Sequence, residues 1–65
     1  MQDPAEPANR FIRKPEVLRR TGLSARTLER LEKVREFPAH RRISAHAIAW
    51  LEADVEAWIA ARSRA

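Results

Sequence analysis

The chain has 65 residues, 13 of them Lys or Arg and nine Asp or Glu, for a formal charge of +4, and it has no cysteine. That length admits one small domain and no enzyme cleft of ordinary size, and without cysteine neither a disulfide nor a thiolate zinc site can reinforce a marginal core. No run approaches the roughly 18 apolar residues of a membrane span, and the N-terminus is acidic and proline-containing rather than basic and then apolar, so a protein that is neither membrane-bound nor secreted is expected.

Met1 to Asn9 carries Pro4, Pro7 and two acids but no large apolar residue after the initiator methionine. It cannot bury enough surface to offset ordering, which predicts a disordered tail over 1–9 and a folded domain over 10–65. Phe11 and Ile12 form the first apolar pair and are expected to lie on the core as a short extended lead-in. Lys14-Pro15-Glu16 reads as a helix start, because proline suits the first helical position and an acid suits the positive end of the helix dipole. Val17 and Leu18 face the core, Arg19 and Arg20 sit near the helix end, and Gly22 stops it.

Thr21-Gly22-Leu23-Ser24 then compresses a stop, one buried residue and a new start into a few positions. Gly22 can adopt the left-handed conformation, Leu23 plugs the turn, and the Ser24 hydroxyl can cap the next helix. That helix is predicted from Ala25 to Arg35, closed by Phe37-Pro38 because proline disfavours helical geometry in the residue before it. Leu28 and Leu31 mark its inner face, while Val34 and Phe37 are expected to close the bottom of the core. Its outer face carries Arg26, Thr27, Arg30 and Lys33, whose spacing of three or four places most of them where they can reach phosphate oxygens or base edges. Glu29 and Lys33, four apart, are also expected to pair on the surface.

From His40 to Leu51 the pattern alternates. A hairpin that pairs Ile43 with Ile48 through Ser44-Ala45-His46-Ala47 would put Ile43, Ile48 and Trp50 on one face and Arg42 and Ser44 outside. The loop contains no Gly, Asn or Pro, so a helical or disordered Ser44 to Trp50 is the competing reading. The last segment is a core helix. Val55, Trp58, Ile59 and the stem of Arg62 repeat at helical spacing, Glu52, Asp54 and Glu56 suit its positive end, and Asp54 is left to cap it because Leu51 cannot. Arg62, Arg64 and Ala65 are expected to fray.

Charge is uneven: between Arg10 and Arg42 eleven Lys/Arg face four Glu, a local +7. Such a patch concentrates polyanions and makes their binding salt-dependent. His40 and His46 have no third ligand to make a metal site. Trp50 and Trp58 recur in phase with other apolar residues, as core side chains do. The acids at 52, 54 and 56 follow the dipole, no serine has a His/Asp partner and there is no glycine-rich phosphate loop, so no enzyme is expected and no cofactor.

Taken in order, Glu16-Val17, Thr21-Gly22-Leu23-Ser24, Thr27-Leu28, Arg30-Leu31, Phe37-Pro38 and the run Ala49-Trp50-Leu51-Glu52-Ala53-Asp54-Val55-Glu56-Ala57-Trp58-Ile59 resemble the AlpA-like phage regulators and excisionases. These are small winged-helix proteins related to the DNA-binding domain of MerR regulators, and the likeness runs from about Phe11 to Arg62. It implies a mainly α, winged helix-turn-helix fold of three helices and a two-stranded wing, with the second helix in the major groove and the wing on a neighbouring groove or backbone. Carried over by position, Arg26, Thr27 and Arg30 read bases and Ser24 with its capped helix end meets phosphate. Three departures concern the target sequence: Ala25 replaces a basic residue, Glu29 an aromatic, and Ala45-His46 a glycine-arginine wing tip. Wing contact is therefore assigned first to phosphate through Arg41 and Arg42, with His46 at the tip.

The expected protein binds double-stranded DNA sequence-specifically, as a transcriptional regulator or an excisionase of a phage or mobile element. It would be cytoplasmic and nucleoid-associated, monomeric in isolation and self-associating on DNA, with an integrase or RNA polymerase as protein partner according to role. The competing reading is an interaction adaptor whose basic face grips an acidic protein.

Overall fold

The computed structural model describes residues 10–62, so the tail expected over 1–9 and the fraying expected of Arg64 and Ala65 lie outside the described residues. Strand β1 (Phe11–Ile12) leads into α1 (Lys14–Thr21) and α2 (Ala25–Lys33), followed by β2 (Arg41–Ser44), β3 (Ala47–Leu51) and α3 (Glu52–Ala60). The result is a winged helix-turn-helix.

Its sheet has three strands in the order β1-β3-β2, all antiparallel. The expected lead-in is thus a third strand: Phe11 pairs with Leu51 and Ile12 with Trp50. Two residues are too short a run to show alternation, so only the partner strand reveals the pairing. The hairpin forms, but in another register. Arg42 pairs with Ile48 and Ser44 with Ala47, leaving Ile43 as a bulge; Ile43 and Ile48 are both exposed rather than inward. Among the described residues only Gly22 and Arg35 have positive φ, so the two-residue turn Ala45-His46 is neither type I′ nor II′. The bulge supplies the extra twist that such a turn does not.

Val17, Leu28, Trp50 and Val55, one from each main element, are fully buried and meet Ile12 and Phe37 in a single core. Leu18, Leu23, Leu31, Trp58 and Ile59 pack around it. Val34 does not close this core and is 55% exposed, because α2 stops at Lys33, short of Arg35. Arg35 turns left-handed at φ 63°, and the amides of Arg35 and Glu36 return to the carbonyls of Glu32 and Leu31. That double return ends the helix, so the stop is written in backbone geometry at Arg35 and not by Pro38.

The segment after α2 is pinned by both tryptophans. Trp50 Nε1 donates to the Pro38 carbonyl at 3.0 Å and Trp58 Nε1 to the Glu36 carbonyl at 2.7 Å. Trp50 thus buries its rings in the core and Trp58 packs half-buried against it, while each indole N–H finds a backbone acceptor. Arg62 does not fray: its guanidinium lies 4.2 Å over the Trp58 ring.

At the start of α3 the first amide, of Glu52, donates to the Arg10 carbonyl at 2.8 Å, and no side chain caps the helix, so Asp54 does not fill the capping role expected of it. Glu52 is itself buried, with one oxygen 2.8 Å from Arg20 Nη1 and the other without a partner among the described residues. Arg20 also holds Glu16 and Glu56. Its guanidinium is pushed above its ordinary pKa, first by the Glu56 hydrogen bond and then by that to Glu52. A fixed cation therefore clamps α1 to α3.

Candidate nucleic-acid interface

The turn between α1 and α2 is built as its sequence demands. Gly22 adopts φ 77°, its amide returns to the Leu18 carbonyl at 2.8 Å, and the Thr21 hydroxyl donates to Val17 while accepting from the Leu23 amide. Ser24 Oγ then accepts from the Thr27 amide at 3.1 Å and donates to Thr27 Oγ1 at 3.0 Å. Ser24 is thereby committed to the cap, whereas Thr27 keeps its own hydroxyl proton for an outside acceptor.

Leu28 is fully buried and Leu31 packs on the core, so the opposite face of α2 looks outward. Arg26, Glu29, Arg30 and Lys33 line one shallow depression of about 440 Å³ on that face. The pairing expected between Glu29 and Lys33 is not made. Glu29 instead binds Lys14 Nζ at 2.9 Å, which frees Lys33. Such exposed pairs contribute about 0.2–1 kcal/mol and rearrange readily.

Arg13 and Lys14 join this region, and sequence reading assigned them no role in it. Arg13 Nε donates to the Ile48 carbonyl of β3 at 3.1 Å, and the next residue reaches Glu29 on α2. Two consecutive cations therefore link the wing to the outer face of α2. A signal did exist: a lysine at the first position of a helix opposes the dipole, so its placement asks for another reason.

In the wing, Arg42 stands directly opposite Ile48, whose carbonyl Arg13 holds, and is exposed. Arg41 pairs with Ala49 and so points to the other face of the sheet, where its guanidinium is 3.9 Å from Asp54. His46 is exposed at the turn. The structure thus gathers Arg26, Thr27, Arg30 and Lys33 on or beside one helix face, connects Arg42 to it through Arg13, and sets Arg41 apart. Glu32 accepts from His40 Nδ1 at 2.6 Å, fixing the chain that enters the wing to α2.

Charge is partitioned accordingly. Arg19 and Arg20 are engaged by Glu16, with Arg20 also held by Glu52 and Glu56, whereas Arg26, Arg30, Lys33 and Arg42 have no ion pair among the described residues. Three of these four, Arg26, Arg30 and Lys33, share one face of α2.

The family model of the prophage CP4-57 regulatory protein AlpA matches residues 10–63. This chain belongs to the AlpA family. It is also 42% identical over 53 residues to ORF88, an uncharacterised protein of Enterobacteria phage P4, a match covering 82% of this chain and 60% of that protein. No solved structure matches. In this AlpA-family chain the matched segment takes in every described element, from β1 to α3. No helix of the described residues is long and apolar enough to cross a membrane.

Proposed function

We propose that the chain binds double-stranded DNA sequence-specifically, as a regulator or excisionase of a phage or mobile element. The outer face of α2 enters the major groove, where Arg26, Thr27 and Arg30 meet base edges and Lys33 a phosphate. Ser24 holds the N-terminus of α2 toward a phosphate through the cap it makes. The wing follows the backbone through Arg42, with His46 at its tip and Arg41 reaching phosphate once it leaves Asp54. The observation that carries this reading is the face of Arg26, Arg30 and Lys33 on a helix whose reverse side is locked in the core. Internal ion pairs satisfy the other cations of the helix-turn-helix, Lys14, Arg19 and Arg20, but leave these three without one among the described residues.

The test is selection of preferred sites from random duplex, followed by titration at two salt concentrations. Enriched sites whose affinity falls steeply with salt are expected, and Arg26→Ala and Arg30→Ala should flatten the base preference. Failure to enrich any site overturns the reading and points to an acidic protein partner. Regulator and excisionase then separate by behaviour on DNA: an excisionase occupies repeated sites cooperatively and bends them for an integrase, while a regulator acting on RNA polymerase needs one operator beside a promoter.

A further inference from the structure

Glu29 is the one carboxylate lining a depression otherwise made of cations, three residues after Arg26, one before Arg30 and four before Lys33. A carboxylate there repels every phosphate that approaches, so it weakens binding to all DNA alike unless a particular base rewards it. Its side chain is 65% exposed and its one pairing, with Lys14, is a surface ion pair of about 0.2–1 kcal/mol, so stability alone does not demand an acid there. Lys14 Nζ holds Oε2 at 2.9 Å, and Oε1 has no hydrogen-bond partner among the described residues.

We infer that Glu29 is a specificity-determining residue that reads cytosine, an inference resting on the DNA-binding reading above. Oε1 accepts a hydrogen bond from the exocyclic amine of a cytosine in the major groove, while Lys14 is a positioning residue that fixes the carboxylate and screens it from the nearest phosphate. Base-edge chemistry selects cytosine. Its major-groove edge offers an amine donor alone, guanine offers only acceptors that repel a carboxylate, thymine an acceptor and a methyl group, and adenine sets its donor beside an acceptor. The guanine paired with that cytosine, or the one next to it, presents the O6/N7 edge that arginine grips through two bonds, and Arg26 and Arg30 flank Glu29 on the same face. Acid and arginines together therefore favour a C·G step over an A·T one.

Site selection from a random duplex library with the wild type, Glu29→Gln and Glu29→Ala tests this, with thermal melts confirming that all three are folded. The wild type is expected to prefer cytosine at one position by at least about fivefold, the lower end of what one mismatched base pair costs. Glu29→Gln should move that position toward adenine, whose N6/N7 edge suits an amide, and Glu29→Ala should erase the preference there and nowhere else. Both variants should bind random duplex more tightly than the wild type. Lys14→Met should weaken the same preference and Lys14→Arg restore it. Identical selected sites for the three Glu29 proteins, even with tighter random binding in the variants, would overturn the inference and leave Glu29 as a modulator of overall charge. A wild-type preference at the Glu29-dependent position for any base other than cytosine would overturn the base assignment. A wild type that enriches no site at all is a separate result, which removes the DNA-binding reading itself.

Discussion

Arg35 offers a test of how α2 is terminated, and so of how the path into the wing is set. It is the only non-glycine residue with positive φ among those described, at 63°, and its amide returns to the Glu32 carbonyl at 3.1 Å while that of Glu36 returns to Leu31 at 2.8 Å. Holding an L-residue in this region costs about 1–2 kcal/mol. Glycine removes that cost but loses about 0.5–1 kcal/mol more than other residues through the freedom of its unfolded chain. The Arg35 side chain is exposed, so its removal sacrifices little packing. Arg35→Gly is therefore expected to stabilise the domain by about 0.5–1 kcal/mol. At about 4–8 °C per kcal/mol for a domain of this size, the melting temperature should rise by about 2–8 °C. Arg35→Ala is the control: it removes the same charge and keeps the Cβ, so any electrostatic gain is common to both variants and the difference isolates the backbone. Circular dichroism melts of the three proteins in one buffer decide it. Arg35→Gly melting at or below the wild type, or Arg35→Ala rising as far, would refute a left-handed stop at this residue.

Three further outcomes follow from the geometry. Ser24→Ala should lose about 0.5–2 kcal/mol in chemical denaturation through the lost cap, while Ser24→Asp should keep that stability and bind duplex more weakly because the capping oxygen now carries a charge beside phosphate. Glu52→Ala should lower the urea midpoint more than Glu56→Ala, since the two acids share Arg20 but their side chains are 7% and 53% exposed; equal midpoints would deny the buried member its role. Arg42→Ala should reduce affinity equally on selected and random duplex and lower the salt slope by about 0.9, whereas a loss confined to the selected site would make Arg42 a base reader.

The helix-turn-helix could be read from the chain because its information is local. Gly22 must be left-handed, Ser24 must cap, and Leu28 must face inward, each for reasons contained within a turn of helix. The candidate face followed from the same periodicity. What escaped reading depends on partners distant in sequence. Phe11–Ile12 becomes a strand only because Trp50 and Leu51 lie beside it, and Arg42 rather than Ile43 meets Ile48 because a bulge shifts the register at a turn with no distinctive residues. Lys14 and Lys33 were equally placed to claim Glu29 by charge. Local spacing favoured Lys33, and the packing of α1 against the rest of the fold delivered Lys14 instead.

The same long-range ties explain how so small a domain can hold the outer face of α2 and the wing in one arrangement without disulfides. Hydrophobic burial sets the core, but Ile43 and Ile48 of the wing are not among its members, so it does not by itself fix where the wing stands relative to α2. Polar contacts specify that relation: Arg13 to the Ile48 carbonyl, Lys14 to Glu29, His40 to Glu32, and the two indoles to the carbonyls of Glu36 and Pro38. Directional bonds of this kind add little net stability each, yet each excludes arrangements that leave a donor or acceptor unmatched. The tie through Lys14 is also the one that a phosphate can compete for, since the lysine serves equally as a partner for Glu29 or for DNA. In the proposed DNA complex, contact with the backbone at that point would change how firmly Glu29 is held, so phosphate positioning and the base contact inferred for Glu29 would be coupled through a single side chain.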